Sequence, residues 1–72
     1  MAEGEPRRRL PVMLQNLALG QKVRLRHDII AEVTGNPKDG SWIFVKYLEN
    51  PQDPAKVGGE ELAFADEVLD EL

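Results

Sequence analysis

The stretch that decides the fold runs from Gly20 to Leu48 and reads GQKVRLRHDIIAEVTGNPKDGSWIFVKYL. Apolar and polar residues alternate in three short runs, and the last two runs flank the turn-forming sequence GNPKDG. Successive side chains of a β-strand point to opposite faces, so this period of two is typical of half-buried antiparallel strands. We therefore predict a three-stranded antiparallel meander with strands at residues 21–27, 29–34 and 41–48.

The alternation also predicts which side chains of the first strand point outward. Val23 and Leu25 face the core, and the opposite face is basic, with Lys22, Arg24 and Arg26. A strand with one apolar and one charged face is half-buried, so this basic face lies on the surface.

The register between the second and third strands follows from the same pattern. We predict that Val33 pairs with Ile43 and that Ala31 pairs with Val45, because a shift by one residue would bury charged side chains. The outer face then carries three apolar side chains, those of Ile30, Trp42 and Phe44, with the basic residue Lys46 at their rim.

Length and composition limit how the domain can be stabilised. A chain of 72 residues forms one small domain, and a core of this size contributes only about 3–5 kcal/mol of net stability. The sequence has no Cys and a single His, which excludes disulfides, iron–sulfur clusters and the usual zinc sites. We expect no metal and no cofactor, and we expect packing or assembly with a partner to provide the stability.

Charge is distributed unevenly along the chain. The formal net charge is −4, whereas nucleic-acid-binding domains are normally basic. Residues 57–72 contain six acidic residues and no basic residue. No apolar run approaches the length of about 20 residues that spans a membrane, so we expect a cytoplasmic protein without membrane contact.

The N-terminal residues are expected to lie outside the folded domain. Residues 1–11 are polar, contain proline and glycine and show no periodicity, so we predict a disordered tail. The folded domain then comprises residues 12–72.

Two structures fit the closing segment, residues 60–72. In a strand–turn–strand, Leu62 and Phe64 point inward. In a helix, one face would carry Leu62, Ala65, Leu69 and Leu72. We favour the strand–turn–strand, because the first three strands need a partner to close the sheet.

This organisation resembles the SH3-like small-barrel superfamily, including KOW- and Tudor-type modules and the small barrel subunits of larger complexes. The resemblance covers roughly residues 18–72 and rests on GQKVRLRH as the opening strand, AEV and GSWIFVKY as the central hairpin, and ELAFADEVLDEL as the closing segment. It implies an all-β, five-stranded barrel with a short helical turn before the last strand. It also implies that the basic face of the first strand lies beside Asp70 and Glu71.

The closing segment is also similar to the end of plasmid-type trimethoprim-resistant dihydrofolate reductase, a tetramer of such barrels. That family binds substrate and cofactor with a Val-Gln-Ile-Tyr stretch. The corresponding stretch in this chain is Glu61-Leu62-Ala63-Phe64. The Gln and the Tyr hydroxyl are missing, and an acidic side chain there would repel an anionic cofactor. We therefore do not transfer the activity.

The sequence contains no catalytic constellation. His27 beside Asp28 and Ser41 beside Trp42 lack an activating context. We therefore expect a non-catalytic protein–protein interaction module, either an accessory subunit bound to a protein partner or a small homo-oligomer formed by self-association, because exposed apolar groups usually mark contact surfaces. Its binding residues would be Trp42, Phe44, Ile30 and Lys46.

Three alternatives remain open at this stage. The predicted apolar face could be ordinary core, covered by Leu14 and Leu17 or by the loop at residues 49–59. The chain could be an RNA- or DNA-binding module that uses Arg7, Arg8, Arg9, Lys22, Arg24 and Arg26. It could also be an oligomeric barrel enzyme with a shared pore.

Overall fold

The computed structural model describes residues 12–72, which form five antiparallel strands in one sheet. The strands are β1 (Lys22–Leu25), β2 (Ile29–Gly35), β3 (Trp42–Glu49), β4 (Glu60–Phe64) and β5 (Val68–Glu71). Their order across the sheet is β4-β3-β2-β1-β5, and the helical elements of this range are short 3-10 turns. The predicted all-β class is confirmed. The predicted tail lies outside the described residues.

The core combines the inner face of the sheet with the segment before β1. Leu14 and Leu17 lie in and directly after a 3-10 turn, and both are buried. The side-chain amide of Asn36 donates hydrogen bonds of 2.8 Å to the carbonyl oxygens of both leucines, which ties this segment to the β2–β3 loop. The strands contribute the other buried apolar side chains: Val23, Leu25, Ala31, Val33, Ile43, Val45, Ala63 and Val68.

The predicted register between β2 and β3 is wrong by two residues. Val33 lies opposite Val45, and Ala31 lies opposite Tyr47. An irregularity in the ladder follows Val33. Because a shift by two residues preserves the alternation, the inner and outer faces of both strands stay as predicted.

The loop between β2 and β3 accounts for this shift. The side-chain oxygen of Asn36 accepts a hydrogen bond from the Lys38 amide, and that of Asp39 accepts one from the Ser41 amide, each at 2.8 Å. Asn and Asp readily form such local turns, which replace ladder hydrogen bonds. The pairing therefore begins at Phe44 of β3, opposite Gly35, and Ile43, the predicted partner of Val33, has no partner on β2.

A sharp corner at His27 and Asp28 joins β1 to β2. Two consecutive residues adopt left-handed backbone angles there, His27 with a φ of 66° and Asp28 with a φ of 61°. Among residues other than glycine, His and Asp tolerate this region comparatively well. The corner allows β2 to pair at once with β1, beginning with Leu25 opposite Ile29.

The closing segment is a strand, a turn and a second strand, so the helical alternative is wrong. The 3-10 turn Ala65–Glu67 connects β4 to β5. The predicted inward orientation of Leu62 and Phe64 is also wrong. Ala63 is the buried residue of β4 and lies opposite Ile43, whereas both of its neighbours are exposed. Within residues 12–72, no helix is long and apolar enough to cross a membrane.

Candidate functional site

The outer face of β3 and β4 carries four large apolar side chains, which we call the outer patch. Trp42 lies opposite Phe64, and Phe44 lies opposite Leu62. Residues paired in an antiparallel ladder point to the same face, so the four side chains share one surface. The rings of Trp42 and Phe44 meet edge to face, with centroids 5.0 Å apart and planes at 83°. Aromatic pairs prefer this geometry.

The outer patch is open to solvent within the described part of the chain. Phe44 is 39% exposed, Leu62 45% and Phe64 49%, while Trp42 is half-buried. Single exposed apolar residues are common on proteins, but contiguous ones usually mark a contact surface. The patch therefore has the character of a binding surface.

The segment before β1 does not cover the outer patch. Leu14 and Leu17 pack into the cluster formed by the inner face of the sheet, on the other side from Phe44. The loop at residues 51–58 is exposed throughout. Neither of the two predicted covers therefore buries the outer patch.

Lys46 lies beside the outer patch on the same face of β3. Its partners across the ladder are Glu32 on β2 and Glu60 on β4. The Glu60 carboxylate also accepts a hydrogen bond of 2.7 Å from the hydroxyl of Thr34. Glu32, Lys46 and Glu60 thus form a row of charged side chains across three strands, which we call the polar row. It borders the outer patch on this side.

Ile30 does not belong to the outer patch. It is half-buried and lies opposite Arg24, on the far side of the polar row. The predicted register would have placed Ile30 opposite Lys46, but Glu32 occupies that position. The structure therefore separates Ile30 from the two aromatic residues with which it was grouped.

Sequence reasoning missed Leu62 and Phe64 because it assigned large apolar side chains to the core. The strand reads Glu-Glu-Leu-Ala-Phe from residue 60, and Ala63 is its small central residue. Either set of alternate side chains of a strand can point to the core, and the residues of the strand alone do not determine which set does. The ladder with β3 decides, because Phe64 lies opposite Trp42.

Gly35 on β2 allows Phe44 to pack closely against the sheet. A Cβ atom added at Gly35 would lie 2.9 Å from the Cδ2 atom of Phe44 and 3.3 Å from its Cβ atom. Real Cβ atoms need more room than this, so another residue at position 35 would displace the ring. The outer patch therefore extends from β4 across β3 to the backbone of β2.

β4 is an edge strand of the described sheet. Backbone hydrogen bonds join Tyr47 to Gly59 at 3.1 Å and Ala65 to Ser41 at 2.9 Å. Alternate residues of an antiparallel strand direct their backbone N–H and C=O groups to the same neighbouring strand. Every second residue from Gly59 to Ala65 therefore forms its backbone hydrogen bonds with β3. The other phase faces the open edge and consists of Glu60, Leu62 and Phe64.

Negative charge gathers on the inner side of this edge. Glu61 lies in the inward phase of β4, and Glu67 follows in the next turn, where its Oε1 atom accepts a hydrogen bond of 3.3 Å from the Phe64 amide. Burial raises the pKa of Tyr47 above its usual 10.0, and the charges of Glu61 and Glu67 raise it further. Glu61 and Glu67 therefore lie close enough to Tyr47 to act on its ionisation.

A shallow pocket of about 120 Å³ lies beside Tyr47. It is lined by Leu25, Arg26, His27, Ile29, Tyr47 and Glu67. Pockets for drug-sized ligands measure about 300–1,000 Å³, so this one suits a single side chain rather than a substrate of that size.

The basic residues considered for nucleic-acid binding are partly engaged within the chain. Arg24 forms an ion pair with Asp70 on β5, and its Nε atom donates at 3.0 Å. Arg26 donates from Nε to the carbonyl oxygen of Asp66 at 2.9 Å. The predicted proximity of basic β1 and acidic β5 is thus confirmed. The remaining candidates are Lys22, which is exposed, and Arg7, Arg8 and Arg9, which lie outside the described residues.

No metal-binding group forms among residues 12–72, where no three His, Asp or Glu side chains lie close enough to hold an ion. His27 is exposed at the β1–β2 corner. The pocket that it lines also contains Tyr47 and Glu67.

Comparison with protein families, curated proteins and solved structures finds no match for this chain. The resemblance to the SH3-like superfamily therefore stays a prediction.

Proposed function

We propose that this chain is a non-catalytic protein–protein interaction module, such as an accessory subunit, that binds its partner through the outer patch. One observation carries the proposal: four large apolar side chains share one open face. These residues are Trp42, Phe44, Leu62 and Phe64. Aromatic residues at the centre of an interface are the usual binding anchors.

The orientation of β4 is the strongest support. Its core position is filled by Ala63, while Leu62 and Phe64 are left in solvent. Full burial of a Leu or Phe side chain is worth about 1.5–3 kcal/mol. Leu62 and Phe64 are about half exposed, so a partner that covers the outer patch would recover part of this stabilisation on binding.

The strand order supports an SH3-like domain as the scaffold of this module. A meander of four strands is followed by a 3-10 turn and a last strand beside the first, which is the arrangement that the resemblance implies. Members of that superfamily mainly dock onto protein, RNA or larger assemblies, so the fold and the outer patch favour the same class of function.

The test introduces the photo-crosslinker p-benzoylphenylalanine in place of Phe64, and in place of Leu69 as the control. Leu69 is also exposed, 38% against 49%, but lies on the opposite edge strand. After irradiation in a host lysate, position 64 should yield a discrete adduct with one protein, and position 69 should not. Equal adducts from both positions, or none from either, would overturn the proposal.

Nuclease treatment before irradiation separates this function from nucleic-acid binding. A protein adduct should survive the treatment. The observed contacts disfavour the nucleic-acid alternative, because Arg24 and Arg26 are engaged within the chain. If that alternative is correct, nucleic-acid binding should fall steeply with added salt, since phosphate contacts release counterions.

Sedimentation tests the oligomeric barrel enzyme. That alternative requires a stable multimer at micromolar concentration, because its active site would be shared between copies. We expect a monomer under these conditions.

A further inference from the structure

We propose that the partner adds an extended segment to the open edge of β4, and that apolar residues alternate with lysine or arginine in this segment. The inference rests on the proposed function and adds the chemistry of the partner. Three features of the edge support it: open backbone groups, an apolar outer side and an acidic inner side.

The backbone of Leu62 offers the docking groups. Its N–H and C=O groups face the open edge, and no hydrogen bond within residues 12–72 uses them on that side. At Phe64 the edge amide already donates to the Glu67 carboxylate. The part of the β4 edge that is open to pairing therefore runs from Glu60 to Leu62. A strand added there ends beside Glu67. Strand addition uses backbone groups of this kind to bind an extended peptide.

The two sides of the edge specify the side chains of the added strand. Successive side chains of that strand point to opposite faces. On the outer face they meet Leu62, with Phe44 next to it, and apolar residues fit there. On the inner side they meet Glu61 and Glu67, and lysine or arginine fits there.

A second copy of this chain is a poor occupant of the same edge. Residues 57–72 carry six acidic residues and no basic residue. Two copies joined along β4 would bring these acidic segments together, and such like-charge juxtaposition disfavours binding. The nearest basic residue on β3, Lys46, already lies between two glutamates. A basic partner is electrostatically complementary instead.

Synthetic peptides of about six residues, the usual length of a strand, test the proposal. The first peptide alternates valine or leucine with lysine, and the second contains the same residues in one apolar and one basic block. Trp42 is the single tryptophan and reports binding by fluorescence, while amide NMR shifts locate the peptide. We expect the alternating peptide to shift residues 60–62 most and to bind about tenfold more tightly than the block peptide.

Two versions of the alternating peptide with N-methylated backbone amides test the strand geometry. Methylation of the amides that face β4 should abolish binding, whereas methylation of the amides in the other phase should leave it unchanged. This follows because alternate residues of a strand direct their backbone groups to the same neighbour. If the peptide were held only by its side chains, the two methylated versions would bind with equal affinity, and that result would overturn strand addition.

Glu61→Gln tests the acidic side, with Glu71→Gln on β5 as the control. Loss of one partly exposed ion pair should weaken binding of the alternating peptide about two- to fivefold, and the control should not change it. Equal binding of alternating and block peptides would overturn the inference, while a crosslink at Phe64 would still support the proposed function. Tight binding of a free peptide of residues 1–11, or dimerisation that competes with the alternating peptide, would also overturn it.

Discussion

At the scale of single residues, Tyr47 reports the charge of the β4 edge. It is the only tyrosine, and its pKa is raised by burial and then by Glu61 and Glu67. We predict an ionisation midpoint above 10.0 in an ultraviolet titration of tyrosinate. Glu61→Gln should lower this midpoint, and Glu71→Gln should leave it unchanged. A wild-type midpoint at or below 10.0 would contradict the described environment.

The same shift makes the free energy of unfolding depend on alkaline pH. A group whose pKa is raised on folding contributes fully below its unfolded pKa, here 10.0, and this contribution is lost as the pH rises through the folded pKa. Denaturant unfolding should therefore show lower stability above pH 10.0, with a smaller loss in Tyr47→Phe. An equal loss in both proteins would assign the effect to other groups.

Asn36 links the segment before β1 to the sheet, and its loss should be costly. Asn36→Ala removes hydrogen bonds to the carbonyl oxygens of Leu14 and Leu17, both buried residues. We expect the free energy of unfolding to fall by about 1–3 kcal/mol, the cost of leaving buried polar groups unpaired. Asn16→Ala, at an exposed position nearby, is the control for urea unfolding and should have little effect.

At the scale of strands, alternation predicts β1, β2 and β3 and their two faces. It does not predict the β2–β3 register, because Asn36 and Asp39 form side-chain turns that alternation does not record. It also misses the orientation of β4, because Leu62 and Phe64 depart from the rule that large apolar side chains point inward. Only the β3 half of the outer patch is therefore predictable from the sequence.

Two substitutions on β4 test its orientation. Ala63→Leu inserts a larger side chain against Ile43 and should cost about 1–3 kcal/mol through overpacking. Leu62→Thr changes an exposed residue and should alter stability by no more than about 0.5 kcal/mol. Urea unfolding of the two variants measures both effects. The reverse ranking would mean that Leu62 points into the core.

At the scale of the whole molecule, the charge separation along the chain has two parts. One part joins the first and last strands, where Arg24 pairs with Asp70. Both side chains are partly exposed, so the pair is worth only about 0–1 kcal/mol, and β5 is also held by its ladder with β1 and by buried Val68. The other part is the surplus of negative charge around β4, where acidic residues border the outer patch.

This acidic surplus predicts how the molecule responds to salt. The outer patch favours contact between copies, whereas the carboxylates around β4 oppose it. Raising the ionic strength from about 0.15 M to about 1 M shortens the Debye length from about 8 Å to about 3 Å, which screens the repulsion and leaves the apolar attraction. Sedimentation velocity should therefore show a monomer at low salt and increasing association at high salt. Phe64→Ser should abolish this association, and Leu69→Ser on the opposite edge should not. Association that weakens with salt would mean that charge pairs, rather than the outer patch, hold the copies together.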